Sequence, residues 1–534
     1  MQIANEIPGF AGYYLDGANR QLVVYVKDSS RDSLTAFEAA ASAIRAHLAS
    51  DGLGIPRRQH PVAGVRIRRA QYDFQTLSDY RDFVSDSMLS IDNGVVWVDL
   101  DEAINRVSVG VLAAVATTAR ASVLDRARSH GIPAGALNFQ VTDTLRPATL
   151  RASLVRPVPT VHGATTTLSD SVDTLGAGFF YHNQLANSDC TIGDIADSGS
   201  VRMFVSASHC TWTTFGFDGD TIQTHDGTKF AVERNDPTAA SARNSDAASF
   251  TLFGGPPYTL RGVIARLNTR DSVGLGAPRD TSINTSNRWL YAYAIAGPSD
   301  IVSGERVDKV GAFGGWVYGT VNNTCTDVTI ATRTGNKTIH CEAIAPGLAN
   351  RQGDSGGPVF IWDGIDGAIL VGTTTALDGS QGTWWGGSES VGSTFSYMTR
   401  AISELGPLNV LTGTTVSTPS LTGDVSGGNA NASWAAVSTT NTTAATIYEI
   451  WEWTWDASTQ TWDENEQFIG TTTGLFYDDV SAPWTLLSVA GAGQPEMCNY
   501  SSVGIEIRAY NEGAYAYSGT LWFQGPKNGA GPAC

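Results

Sequence analysis

Charge is thin along this 534-residue chain: only 16% of residues are Asp, Glu, Lys or Arg, and the balance of 34 basic against 52 acidic residues leaves a net charge of −18. So little positive surface excludes nucleic acid and anionic membrane as expected partners. No apolar run reaches the roughly 18 residues that cross a bilayer, so no transmembrane segment is expected. No CxxC pair or His-x-x-x-His cluster occurs, and neither a metal nor a cofactor is expected. The opening Met1-Gln2-Ile3-Ala4-Asn5-Glu6 has no basic stretch followed by an apolar core, so no signal peptide is visible.

What is present is glycine, 57 of them, with abundant Ser and Thr. That composition fits a β-rich extracellular protein rather than a disordered acidic one. The length predicts two to four domains, each able to bury its own core. Six cysteines fall into sequence-local pairs, Cys190 with Cys210, Cys325 with Cys341 and Cys498 with Cys534. Fifteen connectivities are open to six cysteines, so nearness in sequence is only a prior for this pairing.

The most informative stretch is Gly353-Asp354-Ser355-Gly356-Gly357-Pro358-Val359-Phe360. A serine hydroxyl is a weak nucleophile without a base, and flanking glycines let the backbone turn its N–H groups toward one point. Two such donors, expected from Gly353 and Ser355, stabilise a tetrahedral oxyanion by on the order of 3 kcal/mol each. The pattern points to acyl transfer. Upstream, Val205-Ser206-Ala207-Ser208-His209-Cys210 ends an apolar strand on a histidine, the expected base, beside a cysteine that can tether it. An acid that orients the imidazole must be buried, which favours Asp246 at the edge of the apolar Ala247 to Leu252 over Asp218, Asp220, Asp226 and Asp236, which sit among turn residues. For His182, His225 and His340 a satisfied or solvated ring is expected.

In the order His209, Asp246, Ser355, these motifs resemble the chymotrypsin-like serine peptidases over roughly residues 160 to 411. The ending Gly392-Ser393-Thr394-Phe395-Ser396-Tyr397-Met398, which leads into a helix from Thr399 to Leu405, and the large N-terminal region look most like the secreted bacterial branch of streptogrisins and alpha-lytic endopeptidase. The resemblance implies a secreted serine endopeptidase made as a zymogen and acting on protein or peptide substrates. His209 would be general base and then acid, Asp246 would fix its tautomer, and Asp354 would be a buried acid shaping the oxyanion turn. Where the family has a serine that supports the triad and pairs with substrate backbone, this chain has Gly372-Thr373-Thr374-Thr375-Ala376, so Thr375 is the candidate substrate-binding residue. Asp378 to Gly387 reads as an enlarged loop at the substrate rim. Gly347-Leu348-Ala349-Asn350-Arg351-Gln352 carries no carboxylate, which favours cleavage after apolar or medium-sized side chains over Lys or Arg.

Four segments are expected. Residues 1–157 read as an α+β region with two ββα-like repeats. The first has strands at Tyr13 to Asp16 and Leu22 to Val26 with a helix from Ser33 to Leu48. The second has Val95 to Asp99, an Asn105-Arg106 turn, Val107 to Val111 and a helix reaching about Ser129. By the resemblance this is a pro-region, an intramolecular inhibitor and folding assistant, with the maturation cut expected between residues 150 and 175. Residues 158–411 read as an all-β domain of two barrels, chymotrypsin-like with six strands each by the resemblance. A linker at 412–420 leads to a β-sandwich at 421–534 similar to fibronectin type III, whose Trp451, Trp453 and Trp455 are candidates for polysaccharide or cell-surface binding, with strand packing the plainer role.

Overall fold

A computed structural model describes residues 9–16, 21–27, 64–147, 150–151, 167–170, 174–239, 242–253, 258–271, 279–284, 288–364, 366–384 and 387–412, and, further on, 420–426, 429–437, 447–456, 461–462, 467–472, 476–479, 485–490, 500–511, 514–517 and 520–527. The expected helix from Ser33 to Leu48, most of the linker before Leu168, and the Cys498 and Cys534 pair lie outside the described residues. The chain divides into two units, one of Met1–Ile283 with Ala294–Val410, the other of Asn284–Tyr293 with Leu411–Cys534.

The first unit opens with a three-stranded sheet of Phe10–Asp16, Gln21–Lys27 and Gly64–Ala70, the last two parallel. An antiparallel hairpin, Val95–Asp101 with Arg106–Leu112, follows the helix Phe74–Met88. Its valines alternate onto the face covered by that helix and by Ala116–Ser129, giving a core that includes Leu77, Val84, Val98, Val109 and Val123. Asn105 makes the hairpin turn at φ 55°, and its side chain accepts from the N–H groups of Gln71 and Tyr72 and donates to the Tyr72 carbonyl at 2.9 Å. An asparagine tolerates that left-handed backbone and satisfies buried groups at once, which is why an Asn-Arg pair marks the turn.

The rest of the unit is β-rich. A nine-stranded sheet carries Phe180–Asn183, Ser188–Thr191, Ile195–Ser198, Val201–Ser206, Lys229–Asn235 and Ala248–Leu252. A second, sixteen-stranded sheet carries Arg306–Gly311, Asn323–Thr332, Gly335–Arg351, Pro358–Trp362, Gly367–Trp384 and Gly387–Tyr397. The N-terminal hairpin extends this second sheet, Val98 opposite Asp327 and Trp97 opposite Val328. Polar ties hold the join: Thr326 donates to the buried Asp99 at 2.8 Å, and Ser85 donates to Asp327 at 2.6 Å. The helix expected from Thr399 runs Met398–Leu405 and buries Met398, Ala401 and Leu405.

One expectation is corrected. Of the segment Asp378 to Gly387, the described residues are no open loop but the continuation of a β-hairpin, with Gln381 opposite Ser390, Thr383 opposite Ser388 and Trp384 opposite Gly387, while Trp385 and Gly386 lie outside the described residues. Alternating Gly, Ser and Thr read as loop composition, yet nothing in such residues prevents cross-strand pairing once a neighbouring hairpin supplies the register.

In the second unit, Leu421–Ser426, Asn429–Trp434 and Phe476–Asp479 form one sheet, and Ile447–Asp456, Tyr500–Asn511, Thr520–Lys527 and Thr485–Ala490 lie in another. Trp434 of the first meets Tyr448 of the second with ring centroids 5.6 Å apart, and Ile450, Ile505 and Ile507 are buried with them. Trp451, Trp453 and Trp455 lie in a strand, but their side chains are outside the described set.

Candidate active site

Each candidate side chain stands where an apolar strand ends. Val201–Ser206 delivers the chain to a single 3-10 turn, Ser208–Cys210, that carries His209. The Cys190–Cys210 disulfide ties this turn to the Ser188–Thr191 strand, and Ser188 Oγ donates to the Cys210 carbonyl at 2.7 Å. Asp246 immediately precedes Ala248–Leu252, which pairs with Val201–Ser206, so the acid and the histidine turn emerge side by side. Ser355 lies in the turn between Gly335–Arg351 and Pro358–Trp362.

These three residues, 37 and 146 positions apart from His209, converge. His209 Nε2 lies 2.6 Å from Ser355 Oγ. On the other side of the ring, Nδ1 makes a short hydrogen bond to the Asp246 carboxylate, whose second oxygen accepts the His209 backbone N–H at 3.1 Å. All three are buried, Ser355 and Asp246 with 0% exposure and His209 with 6%. The arrangement can move a proton from the serine hydroxyl to Nε2 while Nδ1–H stays on the carboxylate.

The turn around the serine is set by two glycines with left-handed backbone, Gly353 at φ 101° and Gly356 at φ 81°. A Cβ on Gly353 would stand 2.1 Å from the Phe313 ring. Among the described residues the N–H groups of Gly353 and Ser355 have no acceptor, so both can serve an oxyanion. Asp354 turns inward, where its carboxylate takes the Lys309 ammonium at 2.6 Å and the N–H groups of Gly314 at 2.7 Å and Arg351 at 3.0 Å. Lys309 and Asp354 are both fully buried, and burial pushes the Lys309 ammonium below its ordinary pKa. The buried Lys309–Asp354 pair holds the inner side of this turn.

Three supporting residues, Ser396, Glu342 and Asp236, gave no sequence signal for this role. Ser396 Oγ accepts the Asp246 N–H at 2.8 Å and donates to Glu342 Oε1. Thr375 reaches the acid only through this serine, its hydroxyl 3.2 Å from Ser396 Oγ. Glu342 is completely buried, and desolvation pushes its carboxyl up to about 8, opposed by the Ser396 hydrogen bond. Asp236, which reads as a turn residue, is instead buried against Arg243 at 2.5 Å and accepts from Ser208 Oγ at 2.7 Å, bracing the residue next to His209. Burial raises its pKa to about 6. A lone Asp or Glu between small residues looks alike in sequence whether it faces water or core.

Of the other histidines, His182 is buried with Nδ1 2.7 Å from Asp189, and His340 lies 3.3 Å from Asp327. Among the described residues no cluster of His, Cys, Asp and Glu is arranged to hold a metal ion, and no helix is long and apolar enough to cross a membrane. Cys325 is joined to Cys341.

No family model matches the sequence, and no curated protein matches it. Among solved structures the chain is similar to a glutamic-acid-specific serine protease described as using a histidine triad in substrate binding, at 20% identity and TM-score 0.31, covering 44% of this chain and 100% of that one. It is similar also to Protease A of Thermobifida fusca, at 19% identity and TM-score 0.31 over 45% of this chain and 100% of that one. An alpha-lytic protease homolog is similar at 19% identity and TM-score 0.28, over 44% of this chain and 98% of the other. Likenesses this distant carry no weight for the chemistry, which rests on the geometry of His209, Asp246 and Ser355.

Proposed function

We propose that the chain is a secreted serine endopeptidase of the chymotrypsin-like kind, made as a zymogen. The observation that carries this is the continuous hydrogen-bonded line from the Asp246 carboxylate through His209 to Ser355 Oγ. As a substrate carbonyl meets Ser355, Nε2 takes the hydroxyl proton and Oγ bonds to the carbonyl carbon. The oxyanion sits in the N–H groups of Gly353 and Ser355, and Asp246 stabilises the imidazolium. His209 then hands its proton to the leaving amine, and water, deprotonated by the same ring, releases the acyl group.

In this reading residues 1–157 are the pro-region, inhibiting and assisting folding, and 158–411 are the two-barrel catalytic domain. After the 412–420 linker, residues 421–534 form a fibronectin type III-like module, with sugar or cell-surface binding as its accessory role. The many non-local strand pairings of the catalytic part give a folding assistant a physical purpose, since such topologies fold slowly. Disulfides support an extracellular setting. The absence of a carboxylate at Gly347 to Gln352 favours apolar or medium-sized residues before the cut.

The test is a fluorophosphonate probe on the chain after its N-terminal region is removed. Covalent modification at Ser355, abolished in Ser355→Ala, is expected. A folded sample that takes no label would instead make the molecule a catalytically silent binder.

A further inference from the structure

The turn that carries His209 and the segment that carries Asp246 both lie beyond the ends of their strands, so strand pairing alone does not fix the distance between them. One side chain reaches both. Arg243 stands three residues before Asp246 and is 5% exposed, a buried cation whose nitrogens must find partners. Its Nη1 donates to Asp236 Oδ1 at 2.5 Å, its Nη2 to the Ala247 carbonyl at 2.7 Å and its Nε to Glu404 Oε2 at 3.2 Å. Each arm of the fork ends at a different piece of the site.

The Asp236 arm leads to His209. Asp236 Oδ2 accepts from Ser208 Oγ at 2.7 Å, and that same hydroxyl accepts the Phe215 N–H at 2.8 Å. Phe215 has φ 61°, a left-handed backbone that a bulky residue adopts only where its surroundings enforce it, and its ring centroid lies 4.9 Å from the Arg243 guanidinium carbon. Arg243, Asp236, Ser208 and Phe215 thus close a ring of contacts at the residue that precedes His209. The Ala247 arm grips the residue that follows Asp246. The Glu404 arm joins the helix Met398–Leu405, whose carboxylate also accepts the Asn244 N–H and the Ser245 hydroxyl, both at 2.6 Å, just ahead of Asp246.

We propose that Arg243 is a positioning residue of the triad, a three-armed brace that holds His209 and Asp246 in register. This rests on the serine-peptidase reading above. The guanidinium touches no reacting atom; it acts through Ser208 on one side and through residues 244 to 247 on the other. Lysine cannot replace it, since an ammonium on a flexible stem is a single point and does not span three acceptors around one plane. A misplacement of about 1 Å in such a relay costs about 10²-fold in rate.

The experiment compares Arg243→Lys with its parent in two ways. In the full chain carrying Ser355→Ala, proton NMR reads the downfield Nδ1–H of His209 on Asp246, with His182 on Asp189, 2.7 Å apart and outside this ring, as the control on folding. The His209 resonance is expected to broaden or vanish while that of His182 stays; a His209 resonance that also stays overturns the inference. If Arg243→Lys loses both resonances, Ser208→Ala, which removes one hydroxyl of the ring, decides: loss of the His209 resonance alone supports the brace, and any other pattern overturns it. In the chain folded whole and then freed of its N-terminal region, kcat of Arg243→Lys on a peptide substrate should fall about 10²-fold with KM held within about twofold. Adding Ser208→Ala should cost little more, because both changes act along one path. An unchanged kcat, or a loss carried by KM alone, overturns the inference and leaves the peptidase reading standing. A parent chain that takes no fluorophosphonate takes the peptidase reading down, while the NMR comparison still decides the role of Arg243.

Discussion

Glu342 offers a quantitative check on the packing behind the catalytic acid. Its carboxyl is wholly enclosed, and burial holds it protonated to about pH 8, against an ordinary value of 4.5. Between those two values the folded chain keeps a proton that the unfolded chain has released. Stability from this group is therefore full below pH 4.5 and is lost as pH rises through 8. Each pH unit in that window is worth about 1.4 kcal/mol, so the loss from pH 5 to pH 8 is about 4 kcal/mol. Glu342→Gln removes the titration while keeping the shape and an acceptor for Ser396. Placed on a Ser355→Ala background to prevent self-digestion, the Gln variant should gain on its parent by about 4 kcal/mol between pH 5 and pH 8. Urea unfolding followed by tryptophan fluorescence at a series of pH values measures this difference, and other titrations cancel in it. A difference that stays flat with pH would mean that the carboxyl is already ionised in the folded state, and the reasoning fails.

The remaining expectations concern the relay and its supports. Asp246→Asn should lower kcat by about 10⁴ while leaving the fold intact, because the amide stabilises the wrong imidazole tautomer; steady-state kinetics on a peptide substrate, with circular dichroism as control, reads it. Lys309→Met strands the Asp354 carboxylate in the core, and breaking such a buried pair costs about 3–5 kcal/mol. The denaturation midpoint should fall accordingly, and Ser355 should label more slowly as its turn loosens; an unchanged midpoint refutes the role given to the pair. Replacing both Cys190 and Cys210 by Ala opens a loop whose ends are 20 residues apart, a loss of about 3 kcal/mol on the chain-entropy estimate, measurable by urea unfolding.

Local rules made some of the molecule legible in advance. Val107-Ser108-Val109-Gly110-Val111 alternates with a period of two after an Asn-Arg turn, and with Val95–Asp101 it forms the hairpin so marked. The Gly-rich octapeptide around Ser355 announces positive φ, and Gly353 and Gly356 adopt it. His209 and Asp246 were visible because each borders an apolar strand with small residues beside it. What stayed hidden depends on partners far along the chain. In sequence Asp236 stands between Asn235 and Pro237 and Glu342 between Cys341 and Ala343, and only tertiary packing, which sets Arg243 against the one and buries the other completely, makes the first a brace and the second an enclosed neutral acid. Asp378 to Trp384 likewise became a hairpin extension because its pairing partner is another stretch of chain.

The linear order of residues by itself determined the types of chemistry available: a hydroxyl in a glycine turn, an imidazole at a strand end, an acid at the edge of an apolar run, and β structure through most of the length. Tertiary structure decided which of these meet. Hydrogen-bond geometry is settled within tenths of an ångström, and groups 37 and 146 residues from His209 reach that range only once two sheets fix where their strands end. It decided also that Arg146–Pro147 pairs with Gly367–Trp384 and Leu150–Arg151 with Ser188–Thr191, because strand pairing is a long-range choice that no local pattern encodes.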